Sequence, residues 1–228
     1  MARLLEHDLE ALKERVLKMG SQVEDAIRKA IKALTERDRA LAIAVIDGDR
    51  TVNTCDVEIE EECIRLLALW QPTGSNLRFI TTAIKIITDL ERMGDLAVDI
   101  CERAMELMDE PPLKPYIDIP RMAEAAQKML KDSLDAFVAK DAPLALSVCE
   151  RDDFVDNLTH QIFNELLVYM LQDPKNITRA VRITYVAKYL ERIADHATNI
   201  AEMVVYMVKG KVIRHMECKI VQQNNTKQ

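Results

Sequence analysis

Two short segments, one hundred positions apart, carry the same spacing of acidic side chains. Residues 90–95 are LERMGD and residues 190–195 are LERIAD. Each copy supplies carboxylate or amide groups at positions i, i+4 and i+8, which are Glu91, Asp95 and Asp99 in the first copy and Glu191, Asp195 and Asn199 in the second. On an α-helix such residues form one row. A row of like charges is unfavourable unless solvent or a bound cation offsets the repulsion.

A second polar row precedes each of these segments. It consists of Asp49, Asn53, Asp56 and Glu60 in the first half, and the residues 103 positions later are Asp152, Asp156, Thr159 and Phe163. The first two positions keep a carboxylate or an amide in both copies. If the helices that carry the rows pack antiparallel, these positions approach the acidic segments. Clustered oxygen ligands suit hard cations such as magnesium or manganese, and also iron, so we predict a metal site in each half.

The alternative interpretation of the acidic segments is a solvated helix face. Glu91 and Arg92 would then only join surface ion pairs, as the residues of a single E-x-x-x-D segment usually do. The repetition favours metal or partner binding, because both halves keep the carboxylates, but the residues alone leave both interpretations open. His160 and His196 lie near the second pair of rows, either as further ligands or as ordinary surface residues.

Long helices must position these rows. From residue 5 to residue 30 the apolar side chains recur at intervals of four and three, as on one face of a bundle helix. Asp38 is placed to cap a second helix that runs to about Trp70. Proline and glycine at 72–74 interrupt the pattern, and a third helix follows to about Met108.

The helical pattern then starts again. Residues 109–120, DEPPLKPYIDIP, contain four of the seven prolines and mark a boundary. A fourth helix follows near 119–137, and Asp141 is placed to cap a fifth, whose apolar seam lies 103 residues after that of the second helix. We therefore predict an all-α fold made by tandem duplication of a three-helix up-down-up bundle. The predicted segments are a first unit at 1–110, a second unit at 119–212 and a polar tail at 213–228.

Composition limits the partners and the compartment. The 228 residues are 49% hydrophobic, with a formal net charge of −7. This charge argues against a nucleic-acid surface, which needs a basic stripe. The amino terminus lacks the apolar core of a signal peptide, and the most apolar later run, residues 203–208, is too short to cross a bilayer. Five cysteines, without C-x-x-C spacing, suggest neither disulfides nor zinc, so we expect a cytoplasmic protein without a transmembrane segment.

The sequence offers little for catalysis. It has no glycine-rich phosphate loop and no apparent Ser-His-Asp order, and no histidine follows a glutamate at the Glu-x-x-His spacing of di-iron bundles. We therefore expect a binding protein and not an enzyme. The alternatives are a metal-dependent phosphohydrolase, a metal-storage helical bundle, and a purely structural helical adaptor that binds no metal.

Three segments together resemble the PhoU family of accessory and regulatory proteins of phosphate-specific transport. They are LLALWQPTGSNLRFITTAIKIITDLERMGDLAVDI at 66–100, YLERIADHATNIAE at 189–202 and YMVKGKVIRH at 206–215. The resemblance spans almost the whole chain and includes both E-x-x-x-D segments in order. It implies two three-helix bundles and multinuclear metal sites bound by the helices that carry these segments.

The same resemblance implies a function and its partners. A member of this family is a cytosolic negative regulator of the phosphate-starvation response, without catalytic activity. It is thought to link the ATPase subunit of the phosphate ABC transporter to a membrane histidine kinase of the PhoR type and to modulate phosphate uptake. Many members are homodimers, so a homodimer is expected here.

Overall fold

The chain is entirely helical in the part that the computed structural model describes, residues 2–211, and has no β-strand there. The helices are α1 Ala2–Glu36, α2 Arg39–Trp70, α3 Gly74–Met108, α4 Asp118–Ala139, α5 Ala142–Cys149, α6 Asp152–Gln172 and α7 Ile177–Lys209, with a 3-10 turn at Pro174–Asn176. The predicted all-α fold of two helical bundles is confirmed. The predicted tail at 213–228 lies outside the described residues. None of the helices described has an apolar stretch long enough to cross a bilayer.

Both predicted helix caps are present. Asp38 accepts a hydrogen bond of 2.9 Å from the backbone N–H of Leu41, and Asp141 accepts one of 3.0 Å from the backbone N–H of Leu144. A carboxylate at this position satisfies one of the backbone donors that the first turn of a helix leaves free. Since Asp38 and Asp141 are equivalent in the repeat, the second helix of each unit begins in the same way.

The prediction of one continuous fifth helix was wrong, because the helix is divided at Arg151 into α5 and α6. The guanidinium of Arg151 donates to the carbonyl oxygen of Ser147 at 3.1 Å and forms an ion pair of 2.8 Å with Asp132 on α4. A side-chain donor that captures a backbone carbonyl competes with the regular helical pattern. Asp152 then lies in the first turn of α6, where a carboxylate is favoured by the helix dipole.

The two units share one hydrophobic core. α3 and α7 pack against each other at the centre of the molecule, and α1 packs against α4. Phe79 of α3 stacks on Phe137 of α4, with ring centroids 5.1 Å apart. Buried apolar side chains from all seven helices belong to the same cluster. The central pair of helices, which carries both acidic segments, is therefore held rigidly.

Arginines from both units hold the proline-rich segment that joins them. Arg37 donates to three carbonyl oxygens, those of Leu107 (3.2 Å), Met108 (2.7 Å) and Glu110 (2.8 Å). From the second unit, Arg179 donates to the carbonyl oxygen of Pro111 at 2.9 Å. Lys114, which is buried, forms an ion pair with Glu165 of α6. The boundary between the units is thus an ordered connection with contacts to both.

Candidate metal centres

The first candidate centre lies where α2 approaches α3 at Gly94. A Cβ atom at Gly94 would be 3.2 Å from Oδ1 of Asp49 and 3.3 Å from Cγ1 of Val52, so the lack of a side chain lets the Asp49 carboxylate reach the α3 backbone. Asn53 donates to the other oxygen, Oδ2 of Asp49, at 2.7 Å. Oδ1 of Asp49 is shielded from solvent and has no hydrogen-bond partner among the described residues. The predicted approach of the two rows is therefore present.

Electrostatic interactions join Asp49 to the carboxylates of α3. Burial raises the pKa of Asp49, the Asn53 hydrogen bond opposes this shift, and the charge of Asp95 raises the pKa by a lesser amount. Burial also raises the pKa of Glu91, and the neighbouring charges of Asp95, Asp56 and Asp49 add to this effect. Removing carboxylates from water and placing them near one another both disfavour the charged forms. The carboxylates of the first centre therefore have too little positive charge near them to balance their own negative charges.

Arg92 supplies part of that positive charge. Its guanidinium lies 3.4 Å from the Glu91 carboxylate and 3.6 Å from that of Asp95. The Arg92 side chain is 58% exposed, so solvent screens both pairs and they contribute little. The surface ion pairs expected under the solvated-face interpretation therefore exist, but they leave the buried Asp49 oxygen unpartnered.

The second candidate centre repeats this arrangement between α6 and α7. Oδ1 of Asp152 and the hydroxyl of Thr198 are both shielded from solvent, and neither atom meets hydrogen-bond geometry with a partner among residues 2–211. Burial raises the pKa of Asp152 to about 6, with the charges of Asp195 and Asp156 acting in the same direction and the Thr198 hydroxyl opposing them. Burial likewise raises the pKa of Asp195, followed by the charges of Glu191 and Asp156. Four predicted carboxylates of the second unit therefore lie within electrostatic reach of one another.

The third residue of each acidic row is turned toward the interface between α3 and α7. Asn199 donates to Oδ1 of Asp89 at 3.4 Å, and Nδ1 of His196 lies 2.8 Å from the same oxygen. Burial raises the pKa of Asp99, and the guanidinium of Arg192, from the other unit, opposes this shift. Eight residues rotate a helix by roughly 80°, which explains why these side chains leave the row. A ligand role for Asp99 and Asn199 stays a prediction.

Three residues near these centres were not among the predicted ligands. Asp56 acts electrostatically on Glu91, Thr198 acts on Asp152, and Asp89 connects the two units through His196 and Asn199. Asp56 follows Asp49 by seven residues, so the helical spacing indicated that both side chains lie on the same face of the helix. Asp89 has no such signal, because its partners belong to the other repeat. His160 lines a surface groove together with Asp156 and Glu191.

The carboxylates are neighbours but are not drawn together around one point. Within residues 2–211, no three side chains of His, Cys, Asp or Glu converge closely enough to hold a metal ion. Like charges repel, and Glu191 forms an ion pair with Lys188. The donors nevertheless fit a hard cation, since all are oxygens and each centre has an unpartnered buried one. The residues available as ligands are Asp49, Glu91 and Asp95 in the first centre and Asp152, Asp156, Glu191 and Asp195 in the second.

Comparison with known proteins identifies the repeat. Residues 16–104 and 119–204 each match the sequence profile of the PhoU domain. A protein from Aquifex aeolicus, named phosphate-specific transport system accessory protein PhoU homolog, is 48% identical over 212 residues, which cover 93% of this chain and 96% of that protein. A homolog of the same name from Pseudomonas putida is 40% identical over 213 residues, covering 93% of this chain and 83% of the relative.

Solved structures show the same fold. The crystal structure of PhoU from Pseudomonas aeruginosa matches with a TM-score of 0.87 at 40% identity, covering 90% of this chain and 99% of that chain. The phosphate transport system regulatory protein PhoU from Streptococcus pneumoniae matches with a TM-score of 0.84 at 30% identity, covering 91% of this chain and 98% of that chain. The resemblance to the PhoU family given by the three sequence segments is confirmed, and the chain belongs to that family.

Proposed function

We propose that this protein regulates phosphate transport as a negative regulator of the phosphate-starvation response. The observation that carries the proposal is that similarity to a phosphate-specific transport system accessory protein extends over 93% of this chain and 96% of the relative. The chain carries two PhoU domains, at residues 16–104 and 119–204. In this proposal it links the ATPase subunit of the phosphate ABC transporter to a PhoR-type sensor histidine kinase.

We further propose that metal ions, single or multinuclear, bind at both candidate centres. The unpartnered oxygens of Asp49 and Asp152 and the raised pKa values around them support this, because a cation would offset the repulsion. A magnesium, manganese or iron ion would supply the positive charge that these carboxylates lack. Asp49 and Asp152 would anchor it on α2 and α6, while the acidic segments hold it on α3 and α7.

The protein acts by docking, on the cytoplasmic side of the membrane and as a homodimer. The docking role rests on the names of the relatives, which describe accessory and regulatory proteins, while the location and the homodimer rest on the family resemblance of the sequence. The shared core supports it as well, because helices fixed in one core present a constant surface to a partner. A change in that surface, and not a chemical reaction, would then carry the signal from transporter to kinase.

Deletion of the gene tests the regulatory role. In a strain with the transporter and the kinase, a reporter of the starvation response should stay active at high phosphate and return to repression when the parent chain is supplied. Complementation with Glu91→Gln and Glu191→Gln together, which keep the side-chain length and remove charge, tests the contribution of the acidic segments. Normal repression in the deletion strain would contradict the regulatory role. Hydrolysis of phosphate esters by the pure protein, lost in the same variant, would instead support a metal-dependent phosphohydrolase.

A further inference from the structure

The second unit exposes a continuous apolar surface on α6 and α7. Its six residues are spaced by four along each helix and are between 38% and 79% exposed. They are Phe163, Leu167 and Leu171 on α6, and Ile177, Val181 and Tyr185 on α7. The two helices pack against each other and are joined by the 3-10 turn Pro174–Asn176, so the two rows lie side by side. We call this surface the α6–α7 face.

The first unit shows that the fold does not require an apolar surface there. The residues at the equivalent positions of α2 and α3 are Glu60, Ile64, Ala68, Leu77, Thr81 and Lys85. Two of the six are charged, one is polar and one is small, although the helices occupy the same places in their bundle. Exposed apolar side chains that form one patch mark an interaction surface. The difference between the two repeats therefore indicates that the second unit binds something that the first does not.

The shape of the α6–α7 face is self-complementary. Leu171, at the end next to the turn, is the most exposed large apolar side chain of the face at 79%. At the opposite end, Phe163 and Tyr185 line a groove of about 350 Å³ together with His160. Eight residues of helix, roughly 12 Å, separate Leu171 from Phe163. A two-fold axis through the middle of the face brings the projecting leucine of each copy to the groove of the other.

The charges at the two ends are also complementary under that axis. Asp156 and Glu191 border the groove, with Lys188 beside them, so this end is acidic in the metal-free protein. Lys175 lies at the turn end and is exposed, next to the exposed Asp173, which accepts a hydrogen bond from the Lys175 backbone N–H. A two-fold axis places the lysine of one copy near the acidic end of the second copy, twice per dimer. The middle of the face carries no charge, so two copies meet there without repulsion despite the net charge of −7.

We propose that the α6–α7 face is the surface through which two copies of this chain associate. This rests on the homodimer in the proposed function and locates its interface. The six side chains expose on the order of 500 Å², and a polar rim brings the area toward the ~800 Å² that each partner of a stable complex buries. In the dimer, Leu171 of each copy occupies the groove between Phe163 and Tyr185 of the second copy.

The first unit supplies the substitutions that test the proposal. A triple variant carries Phe163→Glu, Leu171→Ala and Tyr185→Lys. Each position then has the residue type found at its equivalent in the first unit, which is Glu60, Ala68 or Lys85. Since the fold accepts those residues in the first unit, the variant should keep its helical circular dichroism. A control variant carries matched changes on exposed apolar residues of the first unit, Ile64→Glu, Leu69→Ala and Leu77→Lys.

Sedimentation equilibrium of the full chain measures the oligomeric state of the parent and the variants. The parent and the control should have twice the chain mass of 26.0 kDa, and the triple variant should have the mass of one chain. The dimer dissociation constant of the triple variant should be at least ~100-fold higher than that of the parent. Lys175→Glu alone should weaken the dimer about tenfold at low salt and less at high salt, while Lys85→Glu should not. A triple variant that stays dimeric overturns the proposed interface. A monomeric parent overturns both the interface and the proposed homodimer, and the deletion phenotype remains a separate test of regulation.

Discussion

Asp49 and Asp152 occupy equivalent positions in the two repeats, and each has an Oδ1 atom that is shielded from solvent and unpartnered among the described residues. One such oxygen would be a local defect, since buried acceptors are nearly always hydrogen-bonded. The recurrence of the same atom in both copies supports the proposed cation sites. A cation bound there would contact the oxygen directly and would reduce the repulsion from the carboxylates of the neighbouring helix.

The raised pKa of Asp152 predicts a dependence of stability on pH. Burial raises the pKa from 3.8 to about 6, so between these values the folded protein binds the proton more tightly than the unfolded chain does. The stabilisation is complete below about pH 4 and is lost as the pH rises through 6. In metal-free protein the loss should be about 2 kcal/mol, allowing for partial exposure. Urea unfolding of the parent and of Asp152→Asn at a series of pH values measures this loss, as the change with pH in the difference between their unfolding free energies. Parallel plots of unfolding free energy against pH would contradict the prediction.

Removing carboxylates from the metal-free protein should not destabilise it. Asp195 has a pKa raised by burial and by the charges of Glu191 and Asp156, so its ionised form opposes folding at neutral pH. We expect Asp195→Asn to raise the free energy of unfolding by about 1 kcal/mol in the presence of chelator. With metal added, the order should reverse, because the parent gains binding energy that the variant lacks. A variant less stable than the parent under both conditions would contradict the repulsion argument.

Gly94 should control the geometry of the first centre. In Gly94→Ala the new Cβ would lie 3.2 Å from Oδ1 of Asp49, so that carboxylate must move by a few tenths of an ångström. Alanine also favours the helix by about 1 kcal/mol, so the net change in stability should be small. Metal affinity at the first centre should fall about tenfold. The reciprocal control Ala194→Gly should cost about 1 kcal/mol of stability and leave the second centre unchanged, and calorimetric titration measures both affinities.

Arg37 should stabilise the connection between the units. Its guanidinium donates to three carbonyl oxygens around the end of α3, so Arg37→Ala should cost about 2–4 kcal/mol of unfolding free energy. Arg37 also has a φ of 57°, a left-handed conformation that glycine adopts without strain. Arg37→Gly should therefore be about 1 kcal/mol more stable than Arg37→Ala. Equal stabilities of these two variants in urea unfolding would contradict the strain argument.

The helices and their caps could be predicted because their signals are local. Asp38 and Asp141 stand at equivalent places before long apolar seams, and both act as caps. The break at Arg151 could not be predicted in this way. It coincides with an ion pair between Arg151 and Asp132, and that partner lies on another helix. In the first unit the position of Arg151 is taken by Gly48, and α2 continues through it.

The candidate centres were predictable for the residues that repeat within a unit. Spacing along one helix and repetition along the chain indicated Asp49, Glu91 and their counterparts, which the structure brings near one another. Asp89 could not be predicted from the sequence, because its contacts with His196 and Asn199 depend on how the two units pack. The ligand assignment itself rests on chemistry, since the same carboxylates also form surface ion pairs with bases such as Arg92.

Elemental analysis of the protein purified without chelator is the most direct test of the two proposed metal centres. Glu91→Ala with Asp95→Ala should empty the first centre and leave the second bound, and Glu191→Ala with Asp195→Ala should do the reverse. The control Glu14→Ala with Glu61→Ala removes two exposed carboxylates elsewhere and should retain the metal content of the parent. Metal content that is the same in both double variants as in the parent would show that the carboxylate rows are a solvated face and that the centres do not exist.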